Sequence, residues 1–144
     1  MKFDDKYFSQ FNFTEKQISK NFQNATKDIN IAKKDKILDV KFNYVYTALI
    51  KSGIALLSFH QVKVKSIPGH HFKIIEQISR ILKDDSIMAM GNLMRSKRNL
   101  DFYSGGIEVT EKECVEFIKF TEKVLAKIKT IVSKGDKNIC ENSS

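Results

Sequence analysis

The sequence predicts an all-α fold, a single bundle of five helices, and three observations carry that expectation. Apolar residues recur at steps of three and four through several separate stretches, the period of one helical face. Two capping boxes, Thr14 to Gln17 and Thr110 to Glu113, stand where long helices would begin. The chain has one proline, Pro68, and only one short stretch that alternates like a strand. Its 144 residues suit one domain.

Residues 1–13 hold Phe3, Tyr7, Phe8, Phe11 and Phe13 among charges and are expected to lie across the surface of the core as an irregular segment. The helical domain then runs over 14–133. Its first helix, about 15–33, follows from the capping box and from Ile18, Phe22, Ala25, Ile29 and Ala32, which form one stripe. The second, about 36–61, is apolar over most of its circumference, so several neighbours or a second subunit must cover it. Gly53 within it hints at a close helix–helix approach, since glycine costs about 1 kcal/mol against alanine there.

Val62-Lys63-Val64-Lys65 alternates, but it is short and runs into Ser66-Ile67-Pro68-Gly69, so a loop is expected. His70-His71 opens a third helix with Phe72, Ile75, Ile78, Ile81 and Leu82 toward the core. A fourth begins near Ser86, whose hydroxyl is a candidate cap, and turns Ile87, Met90, Gly91 and Met94 inward. Four-residue steps from Met94 reach Arg98 and then Phe102, which puts Arg98 where the buried face runs out. Gly105-Gly106 ends that helix. Cys114, Phe117, Ile118, Thr121, Leu125, Ile128 and Ile131 mark the last helix, to about Val132, and the polar residues 134–144 are expected to form a disordered tail.

The composition is globular, with 42% hydrophobic and 29% charged residues. A formal charge of +8 favours anionic partners, and its distribution is uneven: nine cations against six anions in residues 1–41, nine against four in 42–105, seven against seven in 106–144. The two cysteines, Cys114 and Cys140, lack the spacing of a zinc site or redox pair, and a reducing cytoplasm fits them. The N-terminus does not read as a secretion signal. The stretch 42–59 has membrane-spanning length, yet Lys51 near its middle would cost about 2.5–3.5 kcal/mol in a bilayer, so a buried central helix and no membrane partner are expected.

Chemistry concentrates in Met94–Tyr103. Arg95 and Arg98, three apart, project from one helical side, where guanidinium groups can bind a phosphate bidentately; Asn99 can donate to a second oxygen, and Lys97 is offset from both. The alternative is structural, with the arginines bonded to Asp101 or to helix-end carbonyls. His70 and His71 are adjacent and cannot form an i, i+4 metal pair, so no metal and no cofactor are expected. One histidine is expected to cap or pack at the helix start, the other possibility being a place near the Arg98 cleft.

Taken together, Pro68-Gly69-His70-His71 and Arg95-Ser96-Lys97-Arg98-Asn99-Leu100-Asp101-Phe102-Tyr103 resemble the HEPN superfamily, with the likeness covering roughly residues 14–132. The resemblance implies a helical bundle that dimerises with its Arg motifs facing a shared cleft, in toxin–antitoxin, defence or RNA-processing systems, often beside a nucleotidyltransferase or antitoxin. Catalytic members resemble metal-independent ribonucleases with Arg, a polar residue, three further residues and His. Here Arg98 and Asn99 match, and Tyr103 replaces the histidine. A phenol with pKa near ~10 must shift by roughly three units to serve as imidazole does, which argues against full activity. The leading expectation is therefore an RNA- or nucleotide-binding homodimer presenting Arg95, Lys97, Arg98, Asn99 and Tyr103. The alternatives are a ribonuclease using Arg98 with Tyr103 or a nearby histidine, and a non-catalytic protein-interaction partner.

Overall fold

The computed structural model describes residues 2–104 and 108–142, and of residues 101–104 and 134–142 only the backbone. Its elements are β1 (Phe8–Gln10), α1 (Glu15–Lys34), α2 (Leu38–Phe59), β2 (Val62–Val64), α3 (His70–Leu82), α4 (Asp85–Ser104) and α5 (Glu111–Asn142). The five helices make an all-α bundle with one two-stranded ribbon at its edge.

α2 is the centre because it is apolar nearly all round and α1, α3, α4, α5 and β2 all pack on it. Phe42, Val45, Leu49 and Leu56 along it are fully buried. Its buried hydroxyls are satisfied within the helix: Ser52 Oγ donates to the Leu49 carbonyl at 2.6 Å and Ser58 Oγ to that of Ala55 at 2.7 Å. Lys51, the charge that argued against a membrane span, reaches Asp28 of α1, where Nζ lies 2.7 Å from Oδ2 of a nearly buried carboxylate. Among the described residues no helix is long and apolar enough to cross a membrane. The close approach expected at Gly53 is present, since a methyl there would run into Ile74 and Ile78 of α3.

α1 begins with the complete capping box: Gln17 N–H donates to Thr14 Oγ1, and Thr14 N–H to Gln17 Oε1. Ile18, Ala25, Ile29 and Ala32 are its buried stripe. α5 opens the same way, with Glu113 N–H on Thr110 Oγ1 and Thr110 N–H on Glu113 Oε1, both at 3.0 Å.

Several expectations are corrected. Val62–Val64 is a strand, not a loop: it pairs antiparallel with β1, Phe8 opposite Val64 and Gln10 opposite Val62, and Phe8 is buried. The alternating stretch was not isolated, because its partner lay in the N-terminal segment, which is thereby ordered rather than draped irregularly. Gln61 clamps that segment, accepting from Phe13 N–H at 2.7 Å and donating to Phe13 O at 3.2 Å. α2 spans Leu38–Phe59, shorter at both ends than 36–61; Gln61, at φ 60°, is already left-handed. The cap of α4 is Asp84, whose Oδ1 accepts from Ser86 N–H at 3.0 Å and from Ser86 Oγ at 2.6 Å, so Ser86 is a donor inside the first turn. The backbone of α5 continues to Asn142, past Val132. The tail expected over 134–144 falls on residues whose side chains, and at 143–144 whose backbone, lie outside the described set.

Candidate functional site

The segment Pro68-Gly69 delivers the chain into α3 with Gly69 at φ 86°, a left-handed conformation that favours glycine. No side chain caps α3; His70 N–H donates to the Ile67 carbonyl at 3.1 Å and Lys73 N–H to that of Gly69 at 3.2 Å. α4 packs against α3, and Gly91 permits this because a Cβ would stand 2.6 Å from Ile75 Cγ2. The two helices enclose a cleft of about 390 Å³ at the α3 N-terminus, lined by Pro68, Gly69, His70, His71, Phe72, Arg95 and Asn99.

Four of the residues expected from the sequence thus come together: Arg95, Asn99, His70 and His71. Arg95 is half-buried, with its guanidinium 5.4 Å from the centre of the Phe72 ring, and its Nε is buried with no hydrogen-bond partner among the described residues. Arg98 is also half-buried, and its charge acts on both His71 and Tyr46. Lys97 is placed elsewhere: Nζ lies 2.9 Å from Glu113 Oε2 and donates to the Glu108 carbonyl at 3.2 Å, which ties α4 to the start of α5. Tyr103 and Asp101 belong to α4, and their side chains lie outside the described residues.

The two histidines differ in role. His70 Nδ1 lies 2.7 Å from the Ile67 carbonyl; a carbonyl only accepts, so Nδ1–H donates and locks the loop onto the helix start. His71 turns inward, shares a 3.0 Å hydrogen bond through Nδ1 with Tyr46 Oη of α2, and packs edge-on against His70 with ring centres 4.4 Å apart. Burial, then His70, Arg98 and Arg95, push its pKa down from 6.5 to about 4, so the ring is neutral at pH 7. Burial raises the Tyr46 phenol to about 12 against the opposing pull of Arg95 and Arg98. His71 and Tyr46 thus stand as neutral groups beside the charges of Arg95 and Arg98.

No family model, curated protein or solved structure matches the chain.

Tyr46 and Phe72 were missed as members of the site. Both occupy positions that read as apolar core in their helices, and only the inward turn of His71 and the reach of Arg95 recruit them. Among the described residues no group of His, Cys, Asp and Glu could hold a metal ion. Cys114 is a buried free thiol, and burial raises its pKa.

Proposed function

We propose that the protein is a HEPN-like homodimer that binds RNA or a nucleotide through the α3–α4 cleft, as part of a cytoplasmic toxin–antitoxin or defence module whose partner is a nucleotidyltransferase or antitoxin. The observation that carries the reading is the buried, unpartnered Nε of Arg95 beside Asn99 and an uncapped helix N-terminus. A buried charged donor without an acceptor is costly, and a phosphate oxygen is the acceptor whose charge, geometry and preference for helix N-termini match this place. Arg98 adds charge from the same helix, one turn on.

Support for a homodimer comes from α4, which leaves Leu93 and Leu100 exposed at 48% and 59%, seven residues apart on one helical face and next to the arginines. The cleft is tested by fluorescence anisotropy with labelled single-stranded RNA. Arg95→Gln and Arg98→Ala are each expected to weaken binding about 10–100-fold, the loss for a charge-assisted hydrogen bond. Unchanged affinity in both variants overturns the reading.

A second reading, metal-independent RNA cleavage, is favoured by one observation: His71 is neutral at pH 7 and lines the cleft beside Arg95. A base there would take the 2′-hydroxyl proton as that oxygen bonds to phosphorus, the P–O5′ bond breaks and the leaving 5′-oxygen takes a proton from solvent water. Its signature is EDTA-resistant cleavage with 2′,3′-cyclic phosphate ends. Intact RNA after prolonged incubation leaves binding alone.

A further inference from the structure

On the exposed side of α1, residues 16, 20, 23, 27, 30 and 34 follow one another at alternating steps of four and three, directly opposite the buried stripe. They read Lys16, Lys20, Gln23, Lys27, Asn30 and Lys34, all exposed. The array extends about 27 Å at 1.5 Å per residue. Two shallow depressions run beside it and share Gln23; Lys129 of α5 lines the second.

Ordinary solvated helix faces mix signs and form i, i+4 pairs. This one does not. α1 contains two carboxylates: Asp28 is buried against Lys51, and Glu15, in the first turn, forms no ion pair among the described residues. The neighbouring Glu122 of α5 is engaged by Lys33 at 3.1 Å. Lys16, Lys20, Lys27 and Lys34 form no ion pair among the described residues. Four uncompensated ammonium groups are thus held in line on a rigid helix, with amides between them.

We propose that this stripe is a second, sequence-independent binding surface for the phosphate backbone of single-stranded nucleic acid. A line of point charges separated by amide donors suits a run of spaced phosphates, and with no arginine or aromatic in the stripe its contact would be to the backbone and not to the bases. A membrane surface fits less well, because the apolar face of α1 is committed to the core and has nothing to insert. The stripe is separate from the arginine cleft: α1 packs on α2 and α5, whereas α3 and α4 pack on each other and on α2.

The test compares wild type, the stripe variant K16Q/K20Q/K27Q/K34Q, a charge-matched control K2Q/K36Q/K112Q/K119Q, and the cleft variant R95Q. Labelled oligo-U and oligo-dT of about 20 nucleotides are titrated between 50 and 200 mM salt, and helicity is checked by circular dichroism. The stripe variant is expected to lose at least tenfold in affinity for both oligomers at 50 mM salt, with the slope of log K against log salt flatter by about 3, at roughly 0.7 per phosphate neutralised. The control should keep the wild-type slope. Equal affinity and slope in wild type and a well-folded stripe variant overturn the proposal. So does a wild type that binds neither oligomer at 50 mM salt, or one that binds phosphatidylserine vesicles through the stripe but no oligonucleotide. Loss in R95Q alone supports the cleft and sinks the stripe, and loss in the stripe variant alone does the reverse.

Discussion

Acidification from pH 7 to 5 is expected to weaken the fold through His71. The folded ring has a pKa of about 4, against 6.5 for the ordinary side chain, because burial, His70 on α3 and the two arginines of α4 oppose a proton there. The unfolded chain takes up that proton first. Stability linked to His71 is therefore fully present above pH 6.5, falls as the pH drops below it, and stops falling near pH 4, once the folded ring is protonated too. The full pKa difference corresponds to about 2 kcal/mol at pH 5, and partial solvent access reduces this to ~1 kcal/mol. Urea unfolding at pH 7, 6 and 5 measures it, with His71→Gln as the reference. His60, whose pKa is lowered by burial, is common to both proteins and cancels in the comparison, while the lowered carboxyls of Asp84 and Glu113 act below their ordinary 3.8 and 4.5. Wild type should lose about 1 kcal/mol more than the variant between pH 7 and 5. Parallel losses would refute the placement of a neutral, arginine-facing ring in the cleft.

Gly53→Ala should destabilise the protein by ~1–2 kcal/mol in urea unfolding despite the better helix propensity of alanine, since the added methyl meets two isoleucines that are themselves buried. Leu93→Lys with Leu100→Lys should convert the proposed dimer to a monomer of 16.6 kDa by light scattering without loss of helicity, because both side chains are exposed in the single chain; an unchanged mass puts the dimer contact elsewhere.

The helices were legible because their signals are local. A capping box and a four–three stripe lie within one element, and at Thr14 and Thr110 the reciprocal bonds form as the residue types dictate. The ribbon was not legible in the same way: two three-residue strands carry too little alternation, and each depends on a partner more than fifty residues away in sequence. The misplaced cap of α4, expected at Ser86 and found at Asp84, is of another kind. Both residues are good caps, and the choice rests on where the first turn closes, which neighbouring sequence leaves open. Arg95, Asn99, His70 and His71, singled out by residue type and spacing, line one cleft, yet Lys97 was assigned to the same anion-binding set. It is held by Glu113, whose one oxygen completes the capping box of α5 while the other takes the lysine. That dual use depends on the tertiary position of α5 beside α4, and no spacing within 94–103 encodes it.

The broad apolar helix α2 admitted two explanations, enclosure by its own neighbours or an interface with another protein. Enclosure accounts for it: α1, α3, α4, α5 and β2 all touch it, and Phe42, Val45, Leu49 and Leu56 retain no exposed surface. A helix so covered cannot be the binding surface, which moves any partner onto the outer helices. There the residues left over by core packing are of two different kinds. α1 turns out lysines and amides, whereas α4 turns out two leucines and positions arginines against α3. Lysines on flexible stems suit loose contact with a phosphate chain, whereas an arginine over the Phe72 ring suits fixed contact with a single phosphate. The separation of these two chemistries on opposite partners of a shared central helix is why the salt dependence and the arginine dependence of binding should come apart in the variants.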